Sequence, residues 1–226
     1  MRTIRFFFMV TILLTAVAGI TANSISEAQA VPKVVPENTA ANNDYAGSSL
    51  LDIPLLWKPT ETISALDAID LTVFQNATFT VKPFNDLRKK PSEIGKNVEK
   101  SSFSQIRYVT TRDNVAAWLA DRFEKILAEF DLSVVKDGGT RLLEADIVKF
   151  YVTEESVYKA DIGLKVRMRS KNGDVLWEGM VSVSSNRWGS SYKADNYNEA
   201  LSNACIDVVY NLLKSDSFLQ AVKKNK

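Results

Sequence analysis

The pair Asn172-Gly173, flanked on both sides by alternating apolar residues, constrains this chain more than any other stretch. Asn-Gly tolerates positive φ at both centre positions, so it predicts a two-residue type I′ hairpin loop. With Lys171 opposite Asp174, counting outward sets Met168 against Trp177, Val166 against Gly179, Leu164 against Val181 and Ile162 against Val183. All eight fall on one face. The other face opposes Arg167 to Glu178 and Lys165 to Met180. Turn chemistry, register and alternation agree, which calls for an antiparallel sheet with one buried face.

Something must cover that face, and two amphipathic helices offer themselves. In the first, about Arg112 to Phe130, the residues Val115, Trp118, Leu119, Phe123, Ile126, Leu127 and Phe130 recur at helical spacing, with Thr111 as N-cap. In the second, about Asn196 to Leu213, Tyr197, Leu201, Ala204, Cys205, Val208, Val209 and Leu212 form the stripe, with Asp195 as N-cap. Leu71 to Phe84 reads as a first strand ended by Pro83, Asn85 to Phe103 as a long charged loop, and Leu132–Lys136 and Leu142–Val152 as further strands. The expected fold class is α+β: a mainly antiparallel sheet with two helices packed on one face, in the order β-α-β-β-β-β-α.

The first thirty residues read as a secretory signal peptide. Arg2 and Arg5 precede the apolar run Phe6–Ile20, and Ala28-Gln29-Ala30 is a small-x-small cleavage site. The run is short for a membrane span, which needs roughly 20 apolar residues. No cysteine lies near Ala30, so the expected mature form is exported, periplasmic and not acylated. Residues 31–65 read as a flexible linker followed by an apolar arm, Leu50–Trp57. Residues 66–226 form a single α+β domain.

Composition narrows the chemistry. The chain has no histidine and one cysteine, Cys205, which excludes Ser-His-Asp and Cys-His catalysis, His-bearing zinc sites and an internal disulfide. Cys205 lies in the second helix's apolar stripe, so burial is expected. Net charge is +1, and removing Arg2, Arg5 and Glu27 with the leader leaves 26 basic and 26 acidic residues. No strong field pulls such a chain to nucleic acid.

Several stretches carry a resemblance: Val81-Lys82-Pro83-Phe84-Asn85-Asp86-Leu87-Arg88 with Ile94-Gly95, Val115-Ala116-Ala117-Trp118-Leu119, Gly173-Asp174-Val175-Leu176-Trp177-Glu178-Gly179, and Tyr197-Asn198-Glu199-Ala200-Leu201-Ser202-Asn203-Ala204. Over roughly residues 70–215 the chain resembles the YajG-type family of bacterial envelope lipoproteins. The resemblance implies a strand-loop-helix-strands-helix plan and no established catalytic activity. Family members are lipidated, and the acylation cysteine is missing here.

Three places are candidate interaction sites. Ile53, Leu55 and Trp57 form the apolar arm, which either packs on the domain edge or docks on a partner. Asp86 and Arg88 lie beyond the first strand, where they either bind a partner or anion or fix the turn. Arg187, Trp188 and Tyr192 follow the hairpin, with Trp188 on the outer face beside Glu178 parity, suited to stacking on a sugar ring or anchoring a partner. The basic row Lys165, Arg167, Arg169 reads as a solvated face partly paired with Glu178. Glu154-Glu155 and Asp137 are scattered over turns, and Gly138-Gly139 lacks the lysine of a phosphate loop. The expectation is a non-enzymatic envelope accessory or assembly protein with no cofactor or metal, acting on an envelope partner or by self-association. The alternative is a glycan- or lipopolysaccharide-binding module using exposed aromatics. A carboxylate hydrolase ranks last.

Overall fold

A computed structural model describes residues 50–63, 69–98 and 106–223. The leader, residues 31–49 of the linker and residues 99–103 of the expected loop lie outside the described residues. In chain order the elements are β1 (Leu50–Asp52), a 3-10 turn (Leu71–Phe74), β2 (Thr78–Val81), β3 (Asn85–Asp86), β4 (Glu93–Asn97), β5 (Arg107–Thr110), α1 (Val115–Glu129), β6 (Ser133–Val134), β7 (Arg141–Glu154), β8 (Val157–Ser170), β9 (Val175–Trp188), α2 (Ala194–Lys214) and α3 (Asp216–Lys223).

The three long strands β7, β8 and β9 form an antiparallel meander. Every pair counted from Met168 opposite Trp177 to Ile162 opposite Val183 is present. The turn itself differs. The N–H of Ser170 donates to Asp174 O and that of Gly173 to Ser170 O, with Gly173 at φ 94°. This is a three-residue loop with the glycine in the left-handed region. A bulge between Met168 and Arg169 sets Arg169 opposite Val175 and leaves Leu176 as the extra residue, so the register beyond it returns to the counted one. Two irregularities cancel.

The far edge of β7 differs from expectation. Residues 78–97 run along it in one direction as three short parallel strands: Phe79 pairs with Arg141, Asn85 with Asp146 and Gly95 with Val152. Pro83 and Pro91, which have no N–H, fall in the breaks between them. Within the segment expected to be loop, Asn85–Asp86 and Glu93–Asn97 therefore belong to the sheet. The pieces are two to five residues long, too short to show alternation. β4 pairs antiparallel with β5, β5 parallel with β1, and β2 parallel with β6. Among the described strands the long ladders β7–β8 and β8–β9 are antiparallel, as expected, and the short parallel ladders at the other edge of β7 make the sheet mixed. The expected first strand also begins late: Leu71–Phe74 is a 3-10 turn capped by Asp70, which turns Phe74 rather than Val73 into the core.

The class is a mixed α+β fold with a largely sheet core and three helices among the described residues, one more than expected. α1 starts later than expected, capped by Asn114, whose Oδ1 accepts from Ala117 N–H at 2.9 Å. Thr111 instead accepts from Asp113 N–H. α2 begins at Ala194 with no side-chain cap, and Asp195 lies in its first turn, paired with Lys58. Leu119, Phe123, Ile126 and Leu127 of α1 and Leu201, Ala204, Cys205, Val208 and Leu212 of α2 are buried against the sheet face bearing Ile147, Phe150, Leu164 and Val166. α3 extends the core, with Phe218 packing edge-on against Trp177 at 5.2 Å. The opposite face carries a charged ladder. Arg167 reaches Asp146 at 3.0 Å, Arg169 reaches Glu144 at 2.9 Å and Lys165 reaches Glu178 at 3.0 Å. The basic row is thus paired.

Candidate interaction surface

The arm closes on its own domain. β1 adds to the free edge of β5, and the Ile53 N–H donates to Thr110 O at 2.9 Å. Beyond Ile53 the arm leaves the sheet and crosses α2, whose polar side chains take its backbone. The Leu56 N–H donates to Asn198 Oδ1, that of Lys58 to Ser202 Oγ and that of Thr60 to Asn203 Oδ1, while Asn198 Nδ2 returns a bond to Pro54 O. Asp113, at the start of α1, accepts from Leu55 N–H at 2.6 Å. Ile53 and Leu55 are 2% and 6% exposed. Trp57 is half-buried, 6.3 Å from Trp118 and under the Arg122 guanidinium. The three arm residues therefore face inward, within the domain.

Asp86 and Arg88 form a closed structural unit. Arg88 Nε and Nη2 grip the two Asp86 oxygens at 2.9 and 2.6 Å, and its remaining donors bond the carbonyls of Pro91, Glu93 and Phe150. The guanidinium pins the β3–β4 connection to β7. It borders a shallow groove of about 380 Å³ whose wall includes Val148, turned outward by the β7 bulge. A second cleft, about 580 Å³, lies between the 3-10 turn and β6 and carries Asp70 and Asp131. The Asp70 carboxylate is occupied by Thr72, whose hydroxyl and N–H hold it below the usual range.

The third place is organised around Glu154, which sequence reasoning left among the turn acids. Glu154 ends β7 with the inward parity of Phe150 and Val152, and it is buried. Its Oε1 accepts from the N–H groups of Ser191 and Tyr192 at 2.7 and 2.8 Å, and its Oε2 from the Tyr197 hydroxyl at 2.6 Å. Burial pushes this carboxyl up, but donors from Asn97, Tyr197, the Tyr192 backbone and Tyr158 outweigh burial and hold it below its ordinary value. The Tyr197 hydroxyl is driven up, by burial first and then by the facing carboxylate. Glu154 is a fixed anion that clamps the β9–α2 loop. The clamp holds Tyr192 at φ 45°, a left-handed conformation that is costly for a tyrosine.

Arg187 and Tyr192 are both engaged within the fold. Arg187 Nε pairs with Glu199 at 2.5 Å, and Nη1 donates to Trp188 O. Tyr192 donates its hydroxyl to Tyr108 O at 2.9 Å, with Arg107 4.2 Å above its ring. Trp188 alone points out and is 85% exposed. It is a large aromatic held out to solvent at the end of β9, just before the clamped loop. Two stacking platforms, Trp188 and Tyr192, are therefore not presented together. Among the described residues no group of three His, Cys, Asp or Glu side chains could hold a metal, and no helix is long and apolar enough to cross a membrane.

No family model matches the chain, and no curated protein does. Among solved structures it is similar to a DUF330 protein from Xanthomonas campestris, at 13% identity and TM-score 0.46 over 79% of this chain and 97% of that one. It is similar to PelC from Paraburkholderia phytofirmans, solved as a dodecamer, at 11% identity and TM-score 0.40 over 65% and 90%. It is also similar to a candidate lipoprotein from Caulobacter crescentus, at 11% identity and TM-score 0.38 over 58% and 92%. The structures similar to this chain thus include bacterial lipoproteins, but at these TM-scores the likeness carries no argument for function, and the YajG-type resemblance is not shown by it.

Proposed function

We propose that this chain is a non-enzymatic protein of the bacterial cell envelope, exported to the periplasm, that acts through protein–protein contacts as an accessory or assembly module. The exposure of Trp188 at the end of β9, beside the clamped loop, supports this reading. Ionisable side chains at the three candidate places are committed to internal bonds, while an aromatic of the kind that dominates interface energetics faces solvent. The test is photo-crosslinking in cells from position 188, with Asn172 at the hairpin tip as control. A discrete protein adduct from position 188 and none from position 172 is the expected result. Equal or no protein adducts from both positions would refute it.

The second reading, glycan or lipopolysaccharide binding, also uses Trp188. It retains one platform, since the Tyr192 ring is engaged by Arg107. Titration of tryptophan fluorescence with envelope glycans separates the readings. A quench lost in Trp188→Ala supports glycan binding, and a flat response removes it.

A further inference from the structure

We propose that β9 is a self-association edge, on which a second copy of this chain pairs its own β9 antiparallel about a two-fold axis near Ser182. The proposal rests on the protein-contact reading and names the partner. β9 is fourteen residues long, about 45 Å at ~3.3 Å per residue, and among the described strands it pairs with β8 alone. A free edge of that length presents a row of unpaired N–H and C=O groups, and soluble proteins blunt such edges with lysine, proline or brevity. Between Val175 and Trp188 there is neither lysine nor proline. The bulge at Leu176 protects only the hairpin end.

The side chains fit a second copy. The only charges on β9 are Glu178 and Arg187, of opposite sign and on opposite faces. With the axis at Ser182, Met180 lies opposite Ser184 of the second copy and Glu178 opposite its Asn186. No like charges meet in this register, and like charges directly opposed are what would forbid self-pairing. On the inner face, Trp177 and Val183 are packed on the core yet only partly buried. On the outer face, Met180 is 59% exposed. A neighbouring strand would cover all three.

The test uses the full mature chain. Light scattering against concentration is expected to give a dimer that dissociates on dilution. Ser182 is exposed on the outer face, so Ser182→Lys and Ser182→Glu leave the core untouched, and circular dichroism melts verify the fold. Each substitution alone is expected to raise the half-dissociation concentration roughly tenfold or more, because it sets like charges face to face. Mixing the two variants is expected to restore the dimer. Ser182→Cys is expected to give a disulfide-linked dimer under mild oxidation, since directly opposed strand residues lie within bridging range and Cys205 is buried. A monomer at every concentration, or a dimer indifferent to both charges and uncrosslinked through position 182, would overturn the proposal. In either case a protein adduct from position 188 would leave the protein-contact reading standing.

Discussion

Glu154 combines the position of a core residue with the charge of a surface one, and its three short bonds explain why the charge is tolerated. Glu154→Gln keeps the shape but turns an amide donor toward groups that are themselves donors. The expected cost is about 2–4 kcal/mol of stability, read from urea melts. Tyr192 should become protease-sensitive in the same variant, because the clamp that holds its left-handed backbone is gone. In the sequence Glu154 adjoins Glu155 and reads as a turn acid, since a strand ended at Val152 hides its inward parity. Trp188, by contrast, is legible: counting from Asn172-Gly173 places it on the outer face, where it is found. Arg187 and Tyr192 are not legible, because their partners Glu199, Tyr108 and Arg107 are set by tertiary contacts.

At the scale of elements, α2 holds the arm mainly by the arm's backbone, with the Lys58 and Thr60 side chains also bonded. Asn198, Ser202 and Asn203 are buried, and buried amides and hydroxyls cost stability unless bonded. The arm's N–H and C=O groups supply the bonds. The double variant Asn198→Ala, Asn203→Ala should speed amide exchange at Leu56 and Thr60 by about tenfold or more, while amides in β8 stay protected. Exchange unchanged at both amides would mean that Ile53 and Leu55 alone hold the arm. The apolar stripe of α2 is plain in the sequence. The asparagines beside it are not, because nothing local marks an amide that serves a segment more than a hundred residues away. The same limit hides β3, which pairs only with β7 among the described strands, and β4, which lies between β7 and β5.

At the scale of the molecule, its carboxylates divide by environment and set opposing responses to pH. Burial raises the Asp207 carboxyl, with a partial offset from Ser185, and Glu61 is raised by burial and by Asp207. A raised acid favours the fold when protonated. Its contribution is complete below the unfolded value and is lost as pH rises through the folded one. Glu154 behaves in the reverse sense. So does Asp146, lowered first by Asn85 and then, against burial, by Arg167. Their stabilisation holds above the unfolded carboxylate range and is lost as pH falls through their depressed values. Urea midpoints are therefore expected to rise on mild acidification from neutral pH and to fall again below the ordinary carboxylate range. Asp207→Asn should flatten the first limb and leave the second. An unaltered first limb in that variant would rule out Asp207 as its origin.

The two edges of β7 also differ in time. β7, β8 and β9 are joined by tight turns, so their ladders close short loops and can form early. The other edge pairs Phe79 with Arg141 and Gly95 with Val152, contacts that close loops of some sixty residues. The N-terminal third of the described chain is thus made first and satisfied last. Until β7 exists, the short strands that pair with it have no template, so among the described residues those synthesised earliest include those that pair last.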